Sequence, residues 1–286
     1  MIINTITLGL IFAILGIGIF ISFKILNYTD LTCEASFTCG AAISAIICSS
    51  NINFMVAILL SFIGGGLAGF ITAILHTKLH INKVLSGILT LTAFYTINLW
   101  ITGLDPNIGL ERSIQTIFVK NNDIINLIIM LAIVIIIILF MIFFFKTKTG
   151  LSVRACGDNE KMINANACDI DKLKIIGLAL SNALIALAGS LFMQYERYYD
   201  STFGNGLMVV GVASIIIGES LIRHKHNLPI MLIAIILGST IYRFIYLFII
   251  EVTSEPTNMK LISAVTIIIC ILISNLKKGG YKYVEN

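Results

Sequence analysis

Few residues in this chain have a type and spacing that do chemistry. Glu219 and Arg223 stand four apart at the end of an apolar stretch, with His224 and His226 just beyond. A carboxylate beside imidazoles could move protons in a membrane-embedded enzyme. An acid and a base at i, i+4 on a helix end are more simply an ion pair. His76, His80, His224 and His226 all fall at the ends of apolar runs, where an imidazole is solvated. The H-E-x-x-H, G-x-S-x-G and G-x-x-x-x-G-K-[ST] patterns are absent. We therefore expect no catalytic residue, no metal site and no ATP site in this chain. The six cysteines (33, 39, 48, 156, 168 and 270) form no C-x-x-C pair and read as small buried hydrophobes.

A second set of residues is polar but lies inside apolar runs. Arg243 interrupts GSTIYRFIYLF, and Tyr95, Asn98 and Ser214 lie in other such runs. A cation at the centre of a bilayer costs at least about 2.5 kcal/mol, so it faces protein or a cavity, or snorkels to one end. Tyr95, Asn98, Ser214, Glu219 and Arg243 are the candidates for a polar path through a membrane.

The elements that must position these residues are helices in a lipid bilayer. The chain is 58% hydrophobic and 12% charged, with a mean hydropathy of +0.98. Globular chains are about 25% charged. Runs such as Ile124–Phe145 are long enough to cross a ~30 Å hydrocarbon core as a helix. Barrel strands would be about ten residues long and alternating, which is not the pattern here. Nine apolar runs predict spans near 2–23, 36–50, 53–75, 84–103, 124–145, 174–194, 206–221, 228–249 and 259–276. The first has neither the basic lead nor the A-x-A site of a signal peptide. The expected fold is all-α, one transmembrane domain over residues 1–286 with eight or nine crossings, two of them short.

Between the fifth and sixth runs lies KTKTGLSVRACGDNEKMINANACDIDKLK, Lys146–Lys174, which holds six of the nineteen Lys and Arg residues. With this stretch in the cytoplasm, fourteen Lys and Arg fall inside and only Arg112, Lys120, Arg197 and Lys260 outside. Arg243 is within a span. The positive-inside rule then puts the N-terminus outside and the C-terminus inside. The net charge of +4 is thus an orientation signal and points to no nucleic-acid partner. Within the stretch, Asp158 and Asn159 are good N-cap types, and Glu160 suits a first turn. A helix over 159–167 has only about two turns and needs a packing partner to persist.

Two pairs of runs resemble each other. SFTCGAAISAIICSS precedes a glycine-bearing helix, and FGNGLMVVGVASIIIGES precedes another. The predicted topology runs them in opposite directions, which is the inverted-repeat pattern of transporters. Gly64, Gly65, Gly66, Gly69, Gly211 and Gly218 let helix backbones approach closely or line a narrow conduit.

The block GLSVRACGDNEKMINANACDIDKLKIIGLALSNALIALAGSLFMQYERYYDSTFGNGLMVVGVASIIIGESL resembles permease subunits of bacterial ABC importers. The type is the branched-chain amino acid/ribose inner-membrane translocators, and the nearest group is the tryptophan/tyrosine transport permeases. INKVLSGILTLTAFYTINLWITG, IYRFIYLFI and PTNMKLISAV share the likeness. The resemblance implies half of a dimeric pore in the bacterial inner membrane. It implies cytoplasmic ABC ATPase subunits that hold ATP and Mg, an extracytoplasmic solute-binding protein and a second permease subunit. No cofactor is expected on this chain. The family's coupling helix, which sits in a cleft of the ATPase, corresponds to about Asn159–Ala167. Gly150, Arg154, Ala155, Gly157, Asn159, Glu160, Met162 and Ala165 match the motif, and the helix and its flanks also take in Asp158 and Lys161. Ala167 and Cys168 stand where the family has Gly and then Val or Ile. The outer loop Thr102–Asp123 is the expected docking surface for the binding protein.

The implied solute is an amino acid, aromatic by the nearest group; sugars, nucleosides and vitamins are carried by the same type of permease. The main rival is an ion-driven secondary transporter. It would need acids well inside the spans, and these are scarce. Co-purification of an ATPase separates the two.

Overall fold

A computed structural model describes residues 2–253 apart from 112, 120–121, 166–167 and 223–226, and beyond them only positions 265 and 268. The first crossing, α1 (Ile2–Ile19), has no polar face and continues as a π-helical turn, Phe20–Ile25. Helix α2 (Thr32–Ser49) follows after a short turn, and then α3 (Phe54–Thr77) and α4 (Lys83–Ile101). Asn53 and Asn82 cap the latter two, accepting the backbone N–H groups of Met55 and Val84. A three-residue strand β1 (Asn107–Gly109) precedes α5 (Asp123–Lys146). The polar run forms α6 (Lys148–Asp158) and α7 (Glu160–Ala165). Then come α8 (Ile170–Glu196), β2 (Tyr198–Asp200), α9 (Leu207–Leu221) and α10 (Leu228–Thr253).

Among the described residues, seven helices are long and apolar enough to cross a membrane, and α9 is apolar but shorter. The chain is an all-α, multi-pass integral membrane protein. Eight of the nine expected crossings are present; the ninth, 259–276, lies outside the described residues but for positions 265 and 268. Two helix starts move by four residues. Helix α2 starts at Thr32 rather than 36, and α8 at Ile170 rather than 174, where Asp169 accepts the N–H of Lys172 as its cap. The polar run also holds a second helix, α6, that the two-turn expectation missed. Thr147 caps it through the N–H of Gly150, and Gly150, Val153 and Cys156 form its buried face.

Burial sorts the helices. Of its most apolar stretch, α1 has 83% buried, against 22% for α5, the most apolar helix of all. Hydrophobicity in α5 faces lipid; in α1 it faces protein. Helices α1, α2 and α8 make the centre, and α3, α4, α5 and α10 surround them.

The expected repeat is present as a packing pattern. Ser36 of α2 donates to Asn182 of α8 and Gln194 donates to Ser44, so α2 and α8 run parallel. In the same way α9 runs beside α1, with Gly211 on Ile19 and Glu219 against Lys24. Helix α3 packs antiparallel on α8, and α10 antiparallel on α1. Helices α1 and α8 themselves run antiparallel, with Phe12 near Phe192 and Gly18 near Ser181. The unit α1–α2–α3 is thus repeated, inverted, as α8–α9–α10.

The glycines serve this packing. A Cβ on Gly65 would strike Ala186 and the Asn182 carbonyl, and one on Gly69 the Leu178 carbonyl. Gly211 and Gly218 likewise seat α9 on α1 and α10. Backbone approach between helices, not a conduit, is what these positions supply.

Candidate functional site

The polar end of the molecule is assembled by α6 and α7. Gly157 lies against the Ile25 carbonyl at the end of the first crossing, where no side chain would fit. Val153, Cys156 and Ile163 are buried beneath the two helices. Asn159 ends α6 and accepts the N–H of Met162, so it is the cap of α7; Asp158 is the last residue of α6. Glu160 pairs with Lys174 of α8 at 2.9 Å. Asp169 is also exposed here, and the backbone N–H of Lys172 is the main reason its carboxyl sits below the usual range. With these anchors made, Arg154, Asp158, Asn159, Glu160, Lys161, Met162 and Ala165 are exposed together, while Gly157 is half-buried. Met162 is 48% exposed, an apolar side chain in the middle of a polar surface. Ala167 lies outside the described residues.

The same end gathers other polar contacts. Lys78 pairs with Asp171 at 3.1 Å, and Lys83 donates to the Asn27 carbonyl. Glu219 pairs with Lys24 at 3.0 Å; Arg223, its expected partner, lies outside the described residues. The pair joins the ends of α9 and α1, and its place in that junction accounts for Glu219 without a catalytic role. No group of three or more His, Cys, Asp or Glu that could hold a metal exists among the described residues.

Sequence reasoning missed a buried acid beside this end. Asp30 is 2% exposed, in the turn before α2. It accepts from the backbone N–H of Thr32 at 2.9 Å and from Asn182 at 2.6 Å, and Asn182 in turn accepts from Ser36 at 2.7 Å. Part of the signal was available: Asn182 interrupts an apolar run, whereas Asp30 stands among polar neighbours, Asn27, Thr29 and Thr32, and reads as an ordinary turn residue.

At the opposite end, β1 and β2 pair antiparallel, Ile108 opposite Tyr199. The N–H of Leu110 bonds the Arg197 carbonyl, the Arg197 guanidinium donates to the Ile114 carbonyl, and Gln194 accepts the N–H of Ile117. Arg197 has a φ of 59° and closes α8 in the left-handed region. These bonds hold the Thr102–Asp123 segment as a cap on the helix ends.

The intramembrane candidates separate. Tyr95 and Asn98 line one groove with Glu34, Thr38, Ser201 and Asn205. Ser214 does not join them: it is fully buried, its hydroxyl donates to the Val210 carbonyl, and its own carbonyl meets Gly238 in the α9–α10 seam. Arg243 is also elsewhere. Its guanidinium lies 5.1 Å from the Phe12 ring and 4.8 Å from the Tyr246 ring, within reach of the Glu196 charge at the C-terminal end of α8. Cation–π contacts and that acid account for its place in an apolar helix.

Comparison with known proteins places these features. The family model for the permease component of branched-chain amino acid transport systems matches residues 1–272. A tyrosine transport system permease protein of Clostridioides difficile is 39% identical over 96% of this chain and 92% of its own length. An uncharacterized protein of Rickettsia prowazekii, RP368, is 29% identical over 94% and 95%. The autoinducer 2 import system permease LsrC of Yersinia pestis is 25% identical over 66% of this chain and 52% of its own. Among solved structures, PsaBC from Streptococcus pneumoniae in complex with Fab shares the fold, with a TM-score of 0.57, 15% identity, and coverage of 94% of this chain and 88% of that one.

Proposed function

The chain belongs to the permease components of branched-chain amino acid transport systems, an ABC-type transport family, and from that premise we propose that it forms half of the pore of an ATP-driven amino acid importer. The family works with ATPase and other subunits. The reading assigns this chain two cytoplasmic ABC ATPases, which bind ATP and Mg, an extracytoplasmic binding protein and a second copy of itself. The solute is an aromatic amino acid, tyrosine first, on the strength of the 39% identical tyrosine transport permease. The N-terminus is extracytoplasmic and the C-terminus cytoplasmic.

The observation that carries this reading is the anchored, outward-facing α6–α7 unit. Its exposed Arg154, Asp158, Lys161, Met162 and Ala165 form the surface that enters the ATPase cleft. Its buried side is fixed to the membrane domain at three points: Gly157 on Ile25, Val153 in the core and Glu160 on Lys174. A stroke delivered to α7 therefore reaches α1 and α8, the two helices that relate the inverted halves. The π-helical turn at Phe20–Ile25 is where the stroke arrives; such turns are frequent at functional sites. Coupling is a difference in free energy: ATP binding must favour one pore state over the other. The Thr102–Asp123 cap serves the binding protein at the outer end.

Deleting Asn159–Ala167 tests the reading. The expected outcome is a permease still inserted in the membrane that no longer co-purifies with an ATPase and no longer supports tyrosine uptake. Uptake at the parent rate from the deletion would overturn it.

A further inference from the structure

Among the described residues, the exposed polar side chains in mid-span lie on one helix. They are Thr92, Tyr95 and Thr96 of α4, on one face at i, i+3 and i+4. The exposed side chains of the other outer helices at this depth are apolar: Leu59, Ile63 and Leu67 on α3, and Ile136 and Leu139 on α5. Lipid suits the second kind of surface and not the first.

Beside Tyr95 the surface opens into the groove between α2, α4 and the turn leading to α9. Its depth follows from its neighbours. Glu34 and Ala35 adjoin Ser36, which is bonded to Asn182 midway along α8. The groove holds two acceptors. Asn98 is 2% exposed and its Nδ2 donates to the Ala35 carbonyl at 3.2 Å, while its Oδ1 is buried with no partner. Glu34 accepts the N–H of Gly206 at 3.0 Å and so brings a carboxylate to the same place. Buried carbonyls are nearly always paired, so an unpaired one on a residue that lines the same groove as a carboxylate marks a place for a donor. The space is about 30 Å³, room for one small polar group and not for a whole amino acid.

We propose that this groove is a subsite of the solute path that takes a primary ammonium group, such as the α-amino group of a free amino acid. Asn98 Oδ1 and the Glu34 carboxylate accept its N–H groups, and the remainder of the solute lies along Tyr95 and the α4 threonines. This rests on the importer reading for its meaning, but its test does not need transport.

The test uses thiol labelling of the full chain, co-expressed with its partner subunits, in membrane vesicles. Tyr95→Cys places a thiol in the groove, and Leu91→Cys is the second variant should the first fold poorly. Three methanethiosulfonates are compared: 2-aminoethyl, which has ammonium N–H groups; 2-trimethylammonioethyl, which has the charge alone; and 2-sulfonatoethyl, an anion. Rates are divided by those on a free thiol, and the parent chain gives the background. The expected result is aminoethyl labelling at least tenfold faster than either other reagent. That preference should fall below threefold in Asn98→Leu, with the thiol still reactive. Equal rates for the three reagents would leave only a wet wall and overturn the subsite. No labelling, as expected for a Leu59→Cys control in lipid, would overturn it too. ATPase co-purification from the same membranes reports on the importer reading separately, so either can fail alone.

Discussion

Asp30 has to be accommodated in a membrane protein's interior. An isolated carboxylate there is expensive, and its two hydrogen bonds, from Thr32 and Asn182, are what make the burial tolerable. Asn182 is the shared member, because it also accepts the Ser36 hydroxyl. Asn182→Leu removes a donor from Asp30 and an acceptor from Ser36 at once. The expected cost is about 1–3 kcal/mol, since a buried polar group loses a partner. Ser36→Ala, which removes only one neutral bond, should cost about 0.5–1.5 kcal/mol. Thermal unfolding of the detergent-solubilised protein measures both. Equal melting of Asn182→Leu and parent would show that the network does not hold the inner turn. Tyr28 extends the same region: its hydroxyl lies 2.6 Å from Ser86, and its ring meets His76 edge-on.

Helix pairing is decided by which small residue faces which backbone. Gly65 and Gly66 are adjacent on α3 and differ in one respect. A Cβ at 65 would overlap α8, while one at 66 would find its nearest neighbour 3.7 Å away. Gly65→Ala should therefore force α3 from α8 and cost about 1–3 kcal/mol as overpacking. Gly66→Ala should be neutral or stabilising by up to about 1 kcal/mol, because alanine is the better helix former. Opposite signs in unfolding experiments would support the packing role; equal destabilisation would count against it. The same reasoning explains α6. Its three buried positions, Gly150, Val153 and Cys156, were visible at a spacing of three, but they look like a loop until the end of α1 is there to cover them.

At the scale of the molecule, two polar ends are separated by an apolar middle. One end gathers the turns at 26–31 and 78–82 with α6 and α7, through Gly157 on Ile25 and Lys78 on Asp171. The other gathers β1, β2 and the Thr102–Asp123 cap. The first holds Lys24, Lys78, Lys83, Arg154, Lys161, Lys172 and Lys174, so it should be the cytoplasmic one. Asn164→Cys should then react with an impermeant maleimide only after the cells are opened, and Ser113→Cys in intact cells. Labelling of both positions from one side would sink this topology. The inverted repeat gives the arrangement its use: two like halves, joined through α1 and α8, can rock against each other and open alternately to either side.

Composition and run length were sufficient for the class of molecule and the number of early crossings, because a bilayer imposes length rules that act on each segment alone. The exposed helix at Glu160–Ala165 was legible for the same reason: its caps and first-turn acid are a local pattern. Proximity across the fold could not be read that way. That Lys24 meets Glu219, that Asn98 and Tyr95 share a groove with Glu34, and that Ser214 and Arg243 do not, depends on how the crossing helices pack. Apolar runs of similar composition carry no record of their partners. Only backbone contact at positions such as Gly65 and Gly218 selects one packing, and through it which polar side chains meet.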